Sequence, residues 1–173
     1  MFDDYSMIGT LLELLGAIEG RKKLQKIVFL SKHFGLPFQE EFRFHFYGPY
    51  SESLATKVQE MVSMGLISEE EEVGPTGYKL YKYRLSQKGR SFLNTYPVEG
   101  SLEVPKPFVE LANGKDARFL ELAATIAYLQ EKNYRVEEIP GKVQLLKSEQ
   151  KYSSEEIDEA FSFLHELGAA LAG

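Results

Sequence analysis

The sequence predicts a mainly α-helical protein with a small antiparallel β wing. Residues 1–97 form a winged-helix-like part, 98–114 connect, and 115–173 make a helical lobe packed on the first. Three observations predict this. Apolar residues recur at helical spacing through most of the chain, as at Leu54, Val58, Met61 and Val62. Residues 66–85 instead form two strand-like runs around Gly74-Pro75-Thr76-Gly77, a hairpin pattern. That hairpin follows one helix and runs through Tyr83-Arg84-Leu85-Ser86 into another, the order of a winged helix.

Each element has its own reason. Ile8, Leu11, Leu12, Leu15 and Ile18 predict a first helix over 5–18, ended by Gly20. A second helix is expected over 21–34. Leu24, Ile27, Val28 and Phe34 form its buried stripe, and Lys22, Lys23 and Lys26 share its other side. Pro37 stops it. Phe42, Phe44 and Phe46 alternate with Arg43 and His45, predicting a short strand. Tyr47-Gly48-Pro49-Tyr50 then reads as a turn. Ser51 is a helix N-cap, and the helix it opens closes at Gly65.

Beyond the 66–85 hairpin, Ser86 caps a helix of about 86–96 that Pro97 ends. Residues 97–114 hold three prolines and two glycines and mark the lobe boundary, with room for a short helix at 105–113. A helix over 116–132 is apolar nearly all round and is expected at the centre of the lobe. A shorter helix follows near 138–149. Ser153 and Glu156 then form a capping box before the last helix.

Composition excludes several functions. There is no cysteine, so disulfides, thiolate metal sites and Cys nucleophiles are ruled out. No apolar run approaches the roughly 18 residues of a membrane span, and the acidic start Met1-Phe2-Asp3-Asp4 is unlike a signal peptide. A soluble, cytoplasmic protein is expected. The net charge of -6 argues against coating nucleic acid through bulk charge. It is unevenly divided: residues 1–100 carry twelve basic against thirteen acidic side chains, and 101–173 carry eight against thirteen. Between Gly20 and Gln39 there is no acid at all.

Catalysis is not expected. His33, His45 and His165 lie on separate elements without metal-binding spacing, and neither a Walker lysine nor a Gly-x-Ser-x-Gly element is present. No metal or cofactor is expected.

Two binding functions remain: a winged-helix DNA-binding, transcriptional regulatory protein is the first expectation, and a protein-binding module is the alternative. For double-stranded DNA, the candidate phosphate contacts are Arg21, Lys22, Lys23, Lys26, Lys57, Lys79, Lys82 and Arg84. Glu69 to Glu72 face the strand bearing Lys79, Lys82 and Arg84, so cross-strand pairing can neutralise that set. For a protein partner, the aromatic segment Tyr47, Pro49 and Tyr50 is the candidate. The small, apolar end Gly168 to Gly173 is a candidate homodimer contact.

Lys22-Lys23-Leu24-Gln25-Lys26 resembles the R-K-x-L-Q-K opening of the YwgA-type family of small prokaryotic proteins. Phe44-His45-Phe46-Tyr47-Gly48-Pro49-Tyr50-Ser51 resembles that family's F-x-H-Y-Y-G-P-Y-S segment. The resemblance covers nearly the whole chain and implies a winged-helix regulator. A more distant similarity is to the Panacea antitoxin domain, which implies an antitoxin-like module that binds protein without touching nucleic acid. One departure is visible: residues 35–50 separate two helices that a helix-turn-helix would join by three or four residues.

Overall fold

The computed structural model describes residues 2–100 and 102–172. Met1, Ser101 in the connecting segment and Gly173 in the expected dimer contact lie outside the described residues. Helix α1 spans Phe2–Leu15 and buries Ile8, Leu11 and Leu12. It ends earlier than its periodicity suggests, because Gly16 takes a left-handed φ of 79° and turns the chain. Ile18 is then not helical. It belongs to a strand β1, Ile18–Glu19, and is buried there opposite Tyr83.

Helix α2 spans Arg21–His33. Strands β2 (Arg43–His45) and β3 (Gly48–Tyr50) follow as an antiparallel hairpin. The expected turn at 47–50 is thus mostly a returning strand, and the chain reverses at Phe46–Tyr47. Gly48 makes the reversal possible in two ways. Its φ is 80°, and a Cβ there would press within 3.2 Å of Thr125 Oγ1. Helix α3 is Glu52–Ser63, strands β4 and β5 are Ile67–Val73 and Lys79–Leu85, and helix α4 is Gln87–Thr95. Ser51 and Ser86 cap α3 and α4 as expected: Ser51 Oγ accepts from Leu54 N at 3.1 Å and Ser86 Oγ from Gly89 N at 2.9 Å.

The main sheet is antiparallel with strand order β1-β5-β4. Three helices, a short first strand and a β4–β5 wing give the winged-helix-like arrangement, with β1 as the strand that periodicity concealed. The β2–β3 hairpin is an insertion between α2 and α3.

The connecting segment contains α5 (Lys106–Asn113), and the lobe contains α6 (Ala117–Glu131), α7 (Ile139–Leu146) and α8 (Ser154–Ala172). Asp116 caps α6, and Ser153 and Glu156 exchange both hydrogen bonds of a capping box. Helix α6 is central, as its all-round apolarity predicts. Leu120, Leu122, Ala123, Ala124, Ile126 and Ala127 are all fully buried. It packs on α2, β3, α7 and α8. Buried side chains of both parts join one apolar cluster, and the connecting segment contributes Phe108, Val109 and Ala112 to it. The apolar end of α8 finds partners within the chain: Gly168 lies against Phe34, and Ala170 and Leu171 pack on the core.

Candidate interaction site

Helix α2 begins at Arg21 and carries four of the eight candidate cations, but they do not form one face. Arg21 Nε donates to the Tyr83 hydroxyl at 2.7 Å, its Nη2 lies 3.4 Å from Glu69 Oε2, and its guanidinium stacks 4.3 Å over the Tyr81 ring. Lys22 is exposed, its ammonium 3.8 Å over the ring of Tyr47. Lys23 donates to the carbonyl of Asn113 at 2.7 Å.

Lys26 corrects the sequence reading. It is 1% exposed and donates to the Pro49 carbonyl at 2.8 Å. Helical spacing rightly puts it one turn from Lys22. Helix α6, however, lies across that side of α2 and excludes water. Beside it, the Gln25 amide donates to Ser51 O and accepts from Ser51 N, both at 2.9 Å. The residues that resemble the family's first motif thus hold the segment that resembles its second.

The remaining cations are mostly paired. Lys57 bridges Asp4 at 3.0 Å and Glu40 at 3.2 Å. Lys79 pairs with Glu71 at 3.2 Å, the cross-strand neutralisation expected of the wing, and Lys82 lies 3.9 Å from Glu19. Arg84 is exposed and has no ion pair among the described residues.

Of the candidate partner residues, Pro49 is buried and Tyr50 half-buried against His45. Tyr47 is exposed. The residue that the sequence reading passed over is Phe46, 75% exposed at the hairpin tip. Its alternation with His45 made it look like a strand-face residue. Behind the tip, Lys147 donates to the Phe46 carbonyl at 2.7 Å and lies 3.3 Å from Glu121 Oε1. The Tyr152 hydroxyl is 3.3 Å from the other oxygen of Glu121. Two buried lysines, Lys26 from α2 and Lys147 from the lobe, therefore hold the hairpin from behind, with the Glu121 carboxylate near both.

Burial, only partly offset by Glu121 and reinforced by Lys147 and Lys22, lowers Lys26 from 10.5 to about 8. The folded chain releases this proton near pH 8, whereas the unfolded chain keeps it to about pH 10.4. Between those values the unfolded state binds more protons, so stability rises with pH. The penalty is fully present below that window and gone above it. Burial lowers Lys23 in the same sense. Above about pH 10 the buried Tyr83 and Tyr152 phenols, whose pKa values burial raises, act oppositely and stability falls. The expected result is a Tm that climbs from about pH 8 to about pH 10 and a flatter profile in Lys26→Met. An equally steep climb in the variant would show that Lys26 is not its source.

Among the described residues no group of three or more His, Cys, Asp or Glu is placed to hold a metal ion, and no helix is long and apolar enough to cross a membrane.

The fold is a winged-helix-like domain with a hairpin inserted between its second and third helices and a helical lobe sharing its core. The chain belongs to the YwgA family. It is 41% identical over 154 residues to the Uncharacterized protein YwgA of Bacillus subtilis (strain 168), covering 88% of this chain and 89% of that protein. No protein-family model matches the chain.

Proposed function

We propose that this chain is a non-catalytic, cytoplasmic winged-helix-like protein that docks a protein partner through the hairpin tip Phe46–Tyr47. One observation carries the reading: two exposed aromatic side chains stand on a hairpin held from behind by Gln25, Lys26 and Lys147. Aromatic anchors on a fixed scaffold lose little entropy on binding and dominate interface energies. The Lys22 ammonium over Tyr47 adds a positive rim, which suits a partner whose apolar pocket is bordered by acids.

DNA binding is the second reading, supported by the strand order β1-β5-β4. The electrostatics support it less. The exposed positions of α3 are Glu52, Ser53, Thr56, Gln59, Glu60 and Ser63, two acids and no cation.

The test compares wild type with Phe46→Ser/Tyr47→Ser. Exposed substitutions of this kind leave stability within about 0.5 kcal/mol. A protein cross-linked to wild type in cells is expected to be lost from the variant. Identical cross-linked partners would overturn the docking reading. Titration of random duplex DNA at about 50 mM salt separates the alternatives. Binding that survives the tip variant but disappears in Lys22→Glu/Arg84→Glu would replace a protein partner with nucleic acid.

A further inference from the structure

A second site lies away from the hairpin tip. Helices α2 and α3, strand β3 and the wing strands line a partly open cavity of about 210 Å³, with Arg21 and Gln59 at its exposed side. It is smaller than the roughly 300–1,000 Å³ that receive drug-sized ligands. Leu24, Leu54, Ala55 and Val58 give it apolar walls, and Arg21 and Glu69 give it one charge of each sign.

The two charges are held in place by Tyr83. Its hydroxyl donates to Glu69 Oε2 at 2.7 Å and accepts from Arg21 Nε at 2.7 Å. Burial raises the phenol's pKa, so it remains a neutral donor across the physiological range. The direct contact from Arg21 Nη2 to Glu69 Oε2 is long, at 3.4 Å. Among the described residues, Arg21 Nη1 donates to nothing and Glu69 Oε1 accepts nothing. The Tyr50 hydroxyl and the Gln59 amide, which also line the cavity, have no hydrogen-bond partner there either. Helix α2 starts at Arg21 without a side-chain cap, leaving its positive end to favour a carboxylate nearby.

An open donor on a cation, an open acceptor on an anion and an apolar wall in one small cavity specify a small ligand with the complementary set. We propose that this cavity binds a free α-amino acid with an apolar side chain. Its carboxylate meets Arg21, its ammonium meets Glu69, and its side chain lies against Leu54 and Val58. Recognition uses both ends of the zwitterion, since a ligand with one charge engages only one of the two charged side chains and forgoes the other charge-assisted contact. The site is separate from the docking tip and does not depend on the docking reading.

Thermal unfolding of the full chain tests this with leucine, valine, methionine and phenylalanine as probes. The controls are 3-methylbutylamine, which lacks the carboxylate, and 4-methylpentanoate, which lacks the ammonium. At least one amino acid is expected to raise Tm in a manner that grows with the logarithm of its concentration, while both controls raise it less. Glu69→Gln and Ala55→Leu are expected to abolish the rise while keeping the circular-dichroism spectrum of wild type. If Ala55→Leu does not fold, Glu69→Gln alone decides. No rise with any of the four at about 10 mM would overturn the proposal. So would equal rises with the controls, or a rise undiminished in Glu69→Gln. The tip variant Phe46→Ser/Tyr47→Ser is expected to keep the rise, so failure of the docking reading leaves this result intact.

Discussion

Gly89→Ala is expected to cost about 3 kcal/mol of stability or more. The sign is the informative part. Replacing glycine by alanine inside a helix ordinarily gains about 1 kcal/mol, and Gly89 lies inside α4. Here an added Cβ would stand 2.2 Å from the Leu66 carbonyl oxygen and 2.5 Å from Leu85 Cδ1. The first obstacle is backbone, fixed by its hydrogen bond from Ser86 N at 3.0 Å. It cannot yield by rotating a side chain. Relief requires α4 to lift off the base of the wing, which breaks the Ser86 cap as well. Urea unfolding measures this as a lowered midpoint with an unchanged slope. A variant as stable as wild type would show that this junction gives way freely.

Glu121→Ala is expected to cost about 3–5 kcal/mol, the range for removing one partner of a buried ion pair. Lys147 would remain almost wholly buried, with only the Phe46 carbonyl and the face of the Phe44 ring, 5.3 Å away, to replace the lost carboxylate. Lys26 would lose the one nearby charge that offsets its burial. The double variant Glu121→Leu/Lys147→Met is expected to recover most of the loss, because removing both charges leaves neither unpaired. A double variant as unstable as Glu121→Ala would locate the cost in packing around α6 rather than in charge.

Helical periodicity finds all eight α-helices among the described residues to within about three residues at each end. The one displaced as a whole is α1, which starts and ends three residues earlier than its periodicity suggests. Ile18 sits in phase with Leu15, Leu11 and Ile8, and a buried strand residue and a buried helix residue look alike when one apolar position is all there is to see. The β2–β3 hairpin is half visible for a similar reason. Gly48 and Pro49 punctuate a turn in most sequences, but Pro49 tolerates a strand here because a two-stranded sheet consists of edges.

The candidate interaction site is less legible than the fold. Cross-strand neutralisation of the wing follows from sequence alone and is seen at Lys79 and Glu71. The inward turn of Lys26 does not. It depends on α6, almost a hundred residues later, covering one side of α2. The same holds for the cavity: Arg21, Gln59, Glu69 and Tyr83 come from four elements, and only Arg21 stood among the candidates. Patterns along a chain report which residues are buried. They do not report which distant polar groups meet.

The inserted hairpin also bears on how the protein can change. Gln25 ties both backbone groups of Ser51, and Lys26 ties Pro49, so the insertion's return to α3 is fastened to the core independently of its tip. Each doubling of a loop's length adds only about 0.6 kcal/mol to its closure. Tips of different length and side chain can therefore be exchanged on the same frame without changing how the chain folds.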